Sequence, residues 1–198
     1  MPKAVRECRF VANPRDEDLV AFRKDLLGLA GGFTEIGTTQ GTRYIVGLSG
    51  RGARRRIQRL LAEWGPRFRQ GGVGLEDHST AADRDEIYFL LPLQKNPDPS
   101  GRPRLPLFTN EQLAAWREEL ARRFHFRPEM VQVYGEYRND AGVPVPDKLL
   151  LLRVPRRNRG TVRALRRFIR LKILAAPNCD QDCIYLSSRW RAELVPRT

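Results

Sequence analysis

The sequence predicts an α+β protein built from two successive βαββαβ halves. Three observations predict it. Short blocks of alternating or continuous apolar residues have strand length, longer blocks repeat their apolar residues at spacings of three and four, and the order of the two kinds recurs after about residue 80.

In the first half, Glu7-Cys8-Arg9-Phe10-Val11-Ala12 reads as a strand that Asn13-Pro14 ends. Asp16 or Asp18 can cap a helix carrying Leu19, Phe22, Leu26 and Leu29 on one face, and Gly31-Gly32 stops it by offering left-handed conformations. Phe33 to Ile36 starts a strand, residues 38–41 turn it, and Arg43 to Leu48 returns. After the break at Ser49-Gly50-Arg51-Gly52, Ile57, Leu60, Leu61 and Trp64 mark a second helix that Gly65-Pro66 ends. Gly72 to Glu76 is a weaker final strand.

The second half repeats the order. Glu86 to Leu91 is rich in β-formers. Asn96 to Pro106 is a Pro- and Gly-containing loop. Thr109-Asn110-Glu111-Gln112 is a capping box, opening a helix striped by Leu113, Trp116, Leu120 and Phe124. Met130 to Tyr137 alternates as a strand, residues 139–142 turn, and the loop continues through Pro144 and Pro146. Leu149 to Val154 is an apolar strand, Thr161 to Leu174 a helix, and Asp182 to Val195 one strand or a hairpin. The expected architecture is therefore tandem ferredoxin-like, with two helices on one face of each four-stranded antiparallel sheet. The first unit covers 1–80 and the second 84–198, with the boundary at Ser79 to Arg84.

Composition sets the functional frame. The 198 residues are 41% hydrophobic, which supports a packed core and argues against disorder. No apolar run approaches the ~20 residues that span a bilayer, and the start has no signal-peptide pattern, so the expected setting is cytoplasmic, with no membrane partner. Cys8, Cys179 and Cys183 are not a disulfide framework, and Cys179-x-x-x-Cys183 lacks the further ligands of a zinc site. No complete catalytic, metal or cofactor motif is present. The net charge is +13, a field that attracts polyanions. Only five of the 36 basic residues are lysine. Codon bias could explain that choice of arginine, but not the excess of positive charge.

Two stretches carry a resemblance. Gly31-Gly32-Phe33-Thr34 with Gly41-Thr42-Arg43-Tyr44, and Gly135-Glu136-Tyr137-Arg138-Asn139-Asp140-Ala141-Gly142 with Gln181-Asp182-Cys183-Ile184-Tyr185-Leu186, resemble a pattern of small bacterial α/β domains of unknown function, although the second half has Arg127-Pro128-Glu129-Met130 where the Gly-Gly-x-Thr element would stand. The pattern implies a fold and no activity. At the level of fold and charge the chain is also similar to the RAMP-type proteins of CRISPR systems, which bind or cut RNA. It departs from them at Ala175-Ala176-Pro177-Asn178, where their C-terminal glycine-rich loop is missing.

The constellation that points to function is repeated. Arg51, Arg54, Arg55, Arg56 and Arg59 stand at or along the second helix of the first half; Arg156, Arg157, Arg159, Arg163, Arg166, Arg167 and Arg170 do so in the second. At about 100° per residue the last four form one stripe, largely opposite Val162, Leu165, Phe168, Ile169 and Ile173. Such a stripe suits a run of phosphates, each of which arginine can hold through two N–H groups. Arginines at a helix start oppose the macrodipole, a conflict that a bound anion would relieve. Tyr44, Tyr134, Tyr137 and Tyr185 fall on strands, where core packing is the simpler use and base stacking the alternative. His78 and His125 are the only histidines, and Asp77, Asp83, Asp85 and Glu86 crowd the junction, without a partner set that defines catalysis. The expectation is a non-catalytic nucleic-acid-binding protein, RNA favoured over DNA, acting as a subunit of a ribonucleoprotein or defence-type complex. A metal-independent RAMP-like endoribonuclease, or a subunit binding an acidic protein, are the alternatives.

Overall fold

The computed structural model describes residues 5–38, 41–48, 52–69, 73–76, 86–98, 102–139, 141–155, 159–188 and 191–197. The elements are β1 (Val5–Ala12), α1 (Asp16–Ala30), β2 (Gly32–Thr38), β3 (Gly41–Leu48), α2 (Ala53–Trp64), β4 (Gly74–Leu75), β5 (Glu86–Pro92), α3 (Asn110–Phe124), β6 (Glu129–Arg138), β7 (Pro144–Pro155), α4 (Arg159–Phe168), β8 (Cys183–Ser188) and β9 (Arg191–Pro196). A π-helical segment, Ile169–Leu174, continues α4.

The tandem ferredoxin-like expectation is corrected by the pairing of these strands. They pair antiparallel, and they do not sort into two self-contained four-stranded sheets, one from each half of the chain. β6 runs on to Arg138, and its far end pairs with β2, from Gly32↔Tyr137 to Glu35↔Tyr134. A further strand, β9, pairs with β8 from Cys183↔Pro196 to Ser188↔Arg191. The compact units are accordingly discontinuous. One combines Ala4–His78 with Val133–Asp147; the other combines Met1–Lys3, Ser79–Gln132 and Lys148–Thr198. The physical reason lies in β7. Pro144 and Pro146 read as loop residues, but Pro144–Asp147 alternates exposed and buried, with Val145 and Asp147 inside, so the strand starts before them.

In the first of these units β1 pairs β3 from Arg6↔Leu48 to Ala12↔Thr42, and β3 pairs β2. Alternation along β1 puts Cys8, Phe10 and Ala12 into a core with Phe22, Leu26 and Leu27 of α1 and Ile57, Leu60, Leu61 and Trp64 of α2. Phe22 sits at its centre, with edge-on contacts to Phe10, Tyr44, Trp64 and Phe68. Gly31 ends α1 in a left-handed conformation (φ 71°) and its N–H donates to the Leu27 carbonyl, as the paired glycines led one to expect. The start of α1 differs. Arg15 occupies the cap and makes no capping side-chain hydrogen bond, and Asp16, Glu17 and Asp18 fill the first turn, where they meet the positive end of the helix dipole.

In the other unit β5 pairs β7 and β8 on its two sides. Ile87, Phe89 and Leu91 pack with Leu120 and Phe124 of α3, Leu165 and Phe168 of α4, and Ile184 and Leu186 of β8. The capping box is present: the Gln112 N–H donates to Thr109 Oγ1 (3.2 Å), and the Thr109 N–H donates to Gln112 Oε1 (2.9 Å).

Candidate nucleic-acid interface

The second helix of each half is amphipathic in the expected sense. On α4, Leu165, Phe168, Ile169 and Ile173 are buried and Val162 is half-buried, while Arg163, Arg166, Arg167 and Arg170 are exposed. Arg166 Nε lies 2.5 Å from Glu193 Oε1 of β9, so this arginine is tied to its own sheet. Arg163, Arg167 and Arg170 have no ion pair among the described residues. On α2, Ile57, Leu60, Leu61 and Trp64 are buried, and Arg54, Arg55, Arg56 and Arg59 are exposed. Arg56 makes an interaction of its own. Neither helix has an acidic residue in its first turn. Arg51, Arg156 and Arg157 lie outside the described residues; Arg159 starts α4, and its side chain lies outside them too. The two arginine helices belong to different compact units.

Most other well-placed arginines have carboxylate partners. Arg23 grips Glu35 as a fork (Nε to Oε1 2.8 Å, Nη2 to Oε2 2.5 Å), Arg9 meets Glu7 at 2.6 Å in a buried pair, and Arg43 meets Glu76 at 2.5 Å. Arg153 pairs with both Glu86 and Glu129. Among the described residues, the arginines without an ion pair include Arg54, Arg55 and Arg59 of α2 and Arg163, Arg167 and Arg170 of α4, on outer helix faces that a polyanion can reach.

The structure adds residues that the sequence reading did not single out. Lys172 Nζ lies 3.7 Å from Glu119 Oε2 of α3, and the Arg123 guanidinium stands 5.8 Å from the Phe168 ring centre. These contacts set α3 and α4 side by side and antiparallel. Arg122 and Arg123 on α3 and Arg127 just beyond its end are exposed and add to the basic charge beside α4. Glu119 also accepts from Arg123 (2.9 Å), and Glu118 from Arg127 (3.3 Å), so two carboxylates serve three cations there. Directly after α3, Phe126 is exposed. One signal was legible: Phe124 and Phe126 are two residues apart, and a helix end cannot bury both on one face.

The strand tyrosines are mostly committed elsewhere. Tyr44 is fully buried and stacks on Phe10 with centroids 5.2 Å apart; burial raises its pKa above the usual tyrosine value. Tyr134 lies under the Arg23 guanidinium (4.5 Å), and its hydroxyl donates to Glu136 at 2.9 Å. Tyr185 is 6.3 Å from the buried Tyr88. The sheet faces turned away from the helices are closed as well, with Arg9, Thr34 and Ile45 in one unit and Tyr88, Leu90 and Leu151 in the other all buried. An open sheet platform for bases, as an RNA-binding β-surface would need, is not offered by these positions.

Cys179 and Cys183 are free thiols whose pKa values are pushed up, by burial first. Cys8 is free and buried too. Among the described residues no three His, Cys, Asp or Glu side chains gather as a metal site, and no helix is long and apolar enough to cross a membrane. His125 caps α3 in a left-handed conformation (φ 51°), and His78 lies outside the described residues. Comparison with protein-family models, curated proteins and solved structures finds no match to this chain.

Proposed function

We propose that this chain is a basic, non-catalytic nucleic-acid-binding protein, with RNA favoured over DNA, working as a subunit of a ribonucleoprotein or defence-type assembly. The observation that carries the reading is the set of exposed arginines on α4 (Arg163, Arg167 and Arg170) that have no ion partner among the described residues, backed by Arg54, Arg55 and Arg59 on α2. Each arginine can neutralise a phosphate and release its counterions, which gives sequence-independent affinity with a steep salt dependence. Arg122 and Arg123 of α3, with Arg127 just after it, widen the α4 site toward the neighbouring helix. The setting is the cytoplasm, where free thiols such as Cys8, Cys179 and Cys183 persist.

The test is what the native protein carries. Purified at low salt, it should elute with a raised 260/280 absorbance ratio that nuclease treatment lowers, and the stripped protein should rebind RNA and DNA oligonucleotides. A protein that binds neither at low salt ends this reading.

A further inference from the structure

We infer that the α3–α4 face takes single-stranded nucleic acid, with Phe126 stacking on an unpaired base beside phosphates held by the arginines. This rests on the nucleic-acid reading above and adds the class of ligand.

Eight of the nine phenylalanines are buried at 8% exposure or less, while Phe126 is 42% exposed. The ring is not on a loose tail. His125 turns the chain at φ 51°, the only non-glycine with positive φ among the described residues, and the N–H groups of His125 and Phe126 both donate to the Ala121 carbonyl. That closure fixes the backbone position of the exposed ring at the end of α3. Arg122, Arg123 and Arg127 flank it in sequence and are exposed, Arg123 paired with Glu119 and Arg127 with Glu118. A single exposed apolar side chain is ordinary on a protein surface. An exposed aromatic anchored between arginines has the makeup of a site for a base and its phosphates.

Helix geometry brings the two halves of such a site together. Glu119 meets Lys172 and Arg123 meets Phe168, so moving one turn toward the end of α3 moves one turn toward the start of α4. The C-terminal end of α3, which Phe126 follows, is therefore directed toward the first turns of α4, where Arg163 and Arg167 stand. The bases of a duplex are stacked on one another and offer no open face to a side-chain ring. An unpaired base offers its face at little cost.

The full-length chain can be tested by fluorescence anisotropy with short labelled oligonucleotides, unstructured RNA and DNA single strands and the matching duplexes. Phe126→Ala should weaken single-strand binding roughly tenfold, within the range for loss of one base–aromatic stack. It should leave duplex affinity and the salt slope unchanged. Phe126→Trp should retain single-strand affinity and show fluorescence quenching beyond that of the parent protein. Unchanged single-strand binding by Phe126→Ala, or an equal loss for single strands and duplexes, overturns the inference while the phosphate-binding reading stands. Absence of binding by the parent protein to every oligonucleotide overturns both.

Discussion

Removing the unpaired arginines of α4 gives a change whose size can be worked out in advance. Arg163, Arg167 and Arg170 are exposed and without ion pairs among the described residues, so the triple alanine variant deletes three candidate phosphate contacts without opening the core. Each contact to a single strand contributes about 0.7 to the slope of log affinity against log salt. Three contacts contribute about 2. Between roughly 50 and 200 mM salt, the parent protein should therefore lose about 20-fold more affinity than the variant. Anisotropy titrations with a labelled single-stranded RNA at several salt concentrations measure both slopes. Urea unfolding supplies the control, since surface changes away from packed groups alter stability by about 0.5 kcal/mol or less. Arg166 serves as an internal comparison. Its bond to Glu193 holds it to β9, so Arg166→Ala should alter the slope less than any of the other three single substitutions. Equal slopes for the parent and triple variant, with folding intact, would refute the assignment of this stripe.

The fold itself supports further expectations. Phe22 is fully buried and contacts four aromatic rings, so Phe22→Ala should cost about 3–5 kcal/mol, read from the urea midpoint; a loss below about 1 kcal/mol would show that this core is not packed as described. Thr109→Ala removes the side-chain cap of α3 and should cost about 1 kcal/mol in the same assay, whereas Thr109→Ser should recover most of it. Burial, then the bond to Glu136, pushes the Tyr134 pKa up to about 12, and burial raises Tyr44 as well. Unfolded tyrosines ionise near ~10, so above that pH the unfolded chain releases protons that the folded chain keeps. Stability from these groups is full below about pH 10 and falls as pH rises toward 12, and a flat denaturation profile across that range would contradict it.

Local chemistry was the legible part of this chain. Gly31 had to follow α1 because only the residue after the last turn needs a left-handed backbone, and Thr109 with Gln112 satisfies helix-end groups within four residues. The arginine stripe of α4 and its buried opposite face follow from periodicity alone. Strand pairing is not local, and that is where the expectation failed. Nothing in residues 129–138 announces that one strand pairs with β2 at its far end, and Pro144 and Pro146 masked the start of β7. The change from α to π geometry at Ile169 was also hidden, and Leu171 within that segment is 58% exposed beside Arg170. On the site, α2 and α4 were found by charge clustering. The contribution of α3 was missed because its arginines are interleaved with glutamates, and only three-dimensional pairing shows how those charges are shared.

The central claim is that phosphates are held by the basic helix faces, and the most direct measurement is the salt dependence of the unmodified protein on a single-stranded RNA. A straight fall of log affinity with log salt is expected, with a slope of at least about −2 from the α4 arginines alone and steeper if α3 and α2 also engage. A flat line, or no measurable binding at low salt, would contradict the account.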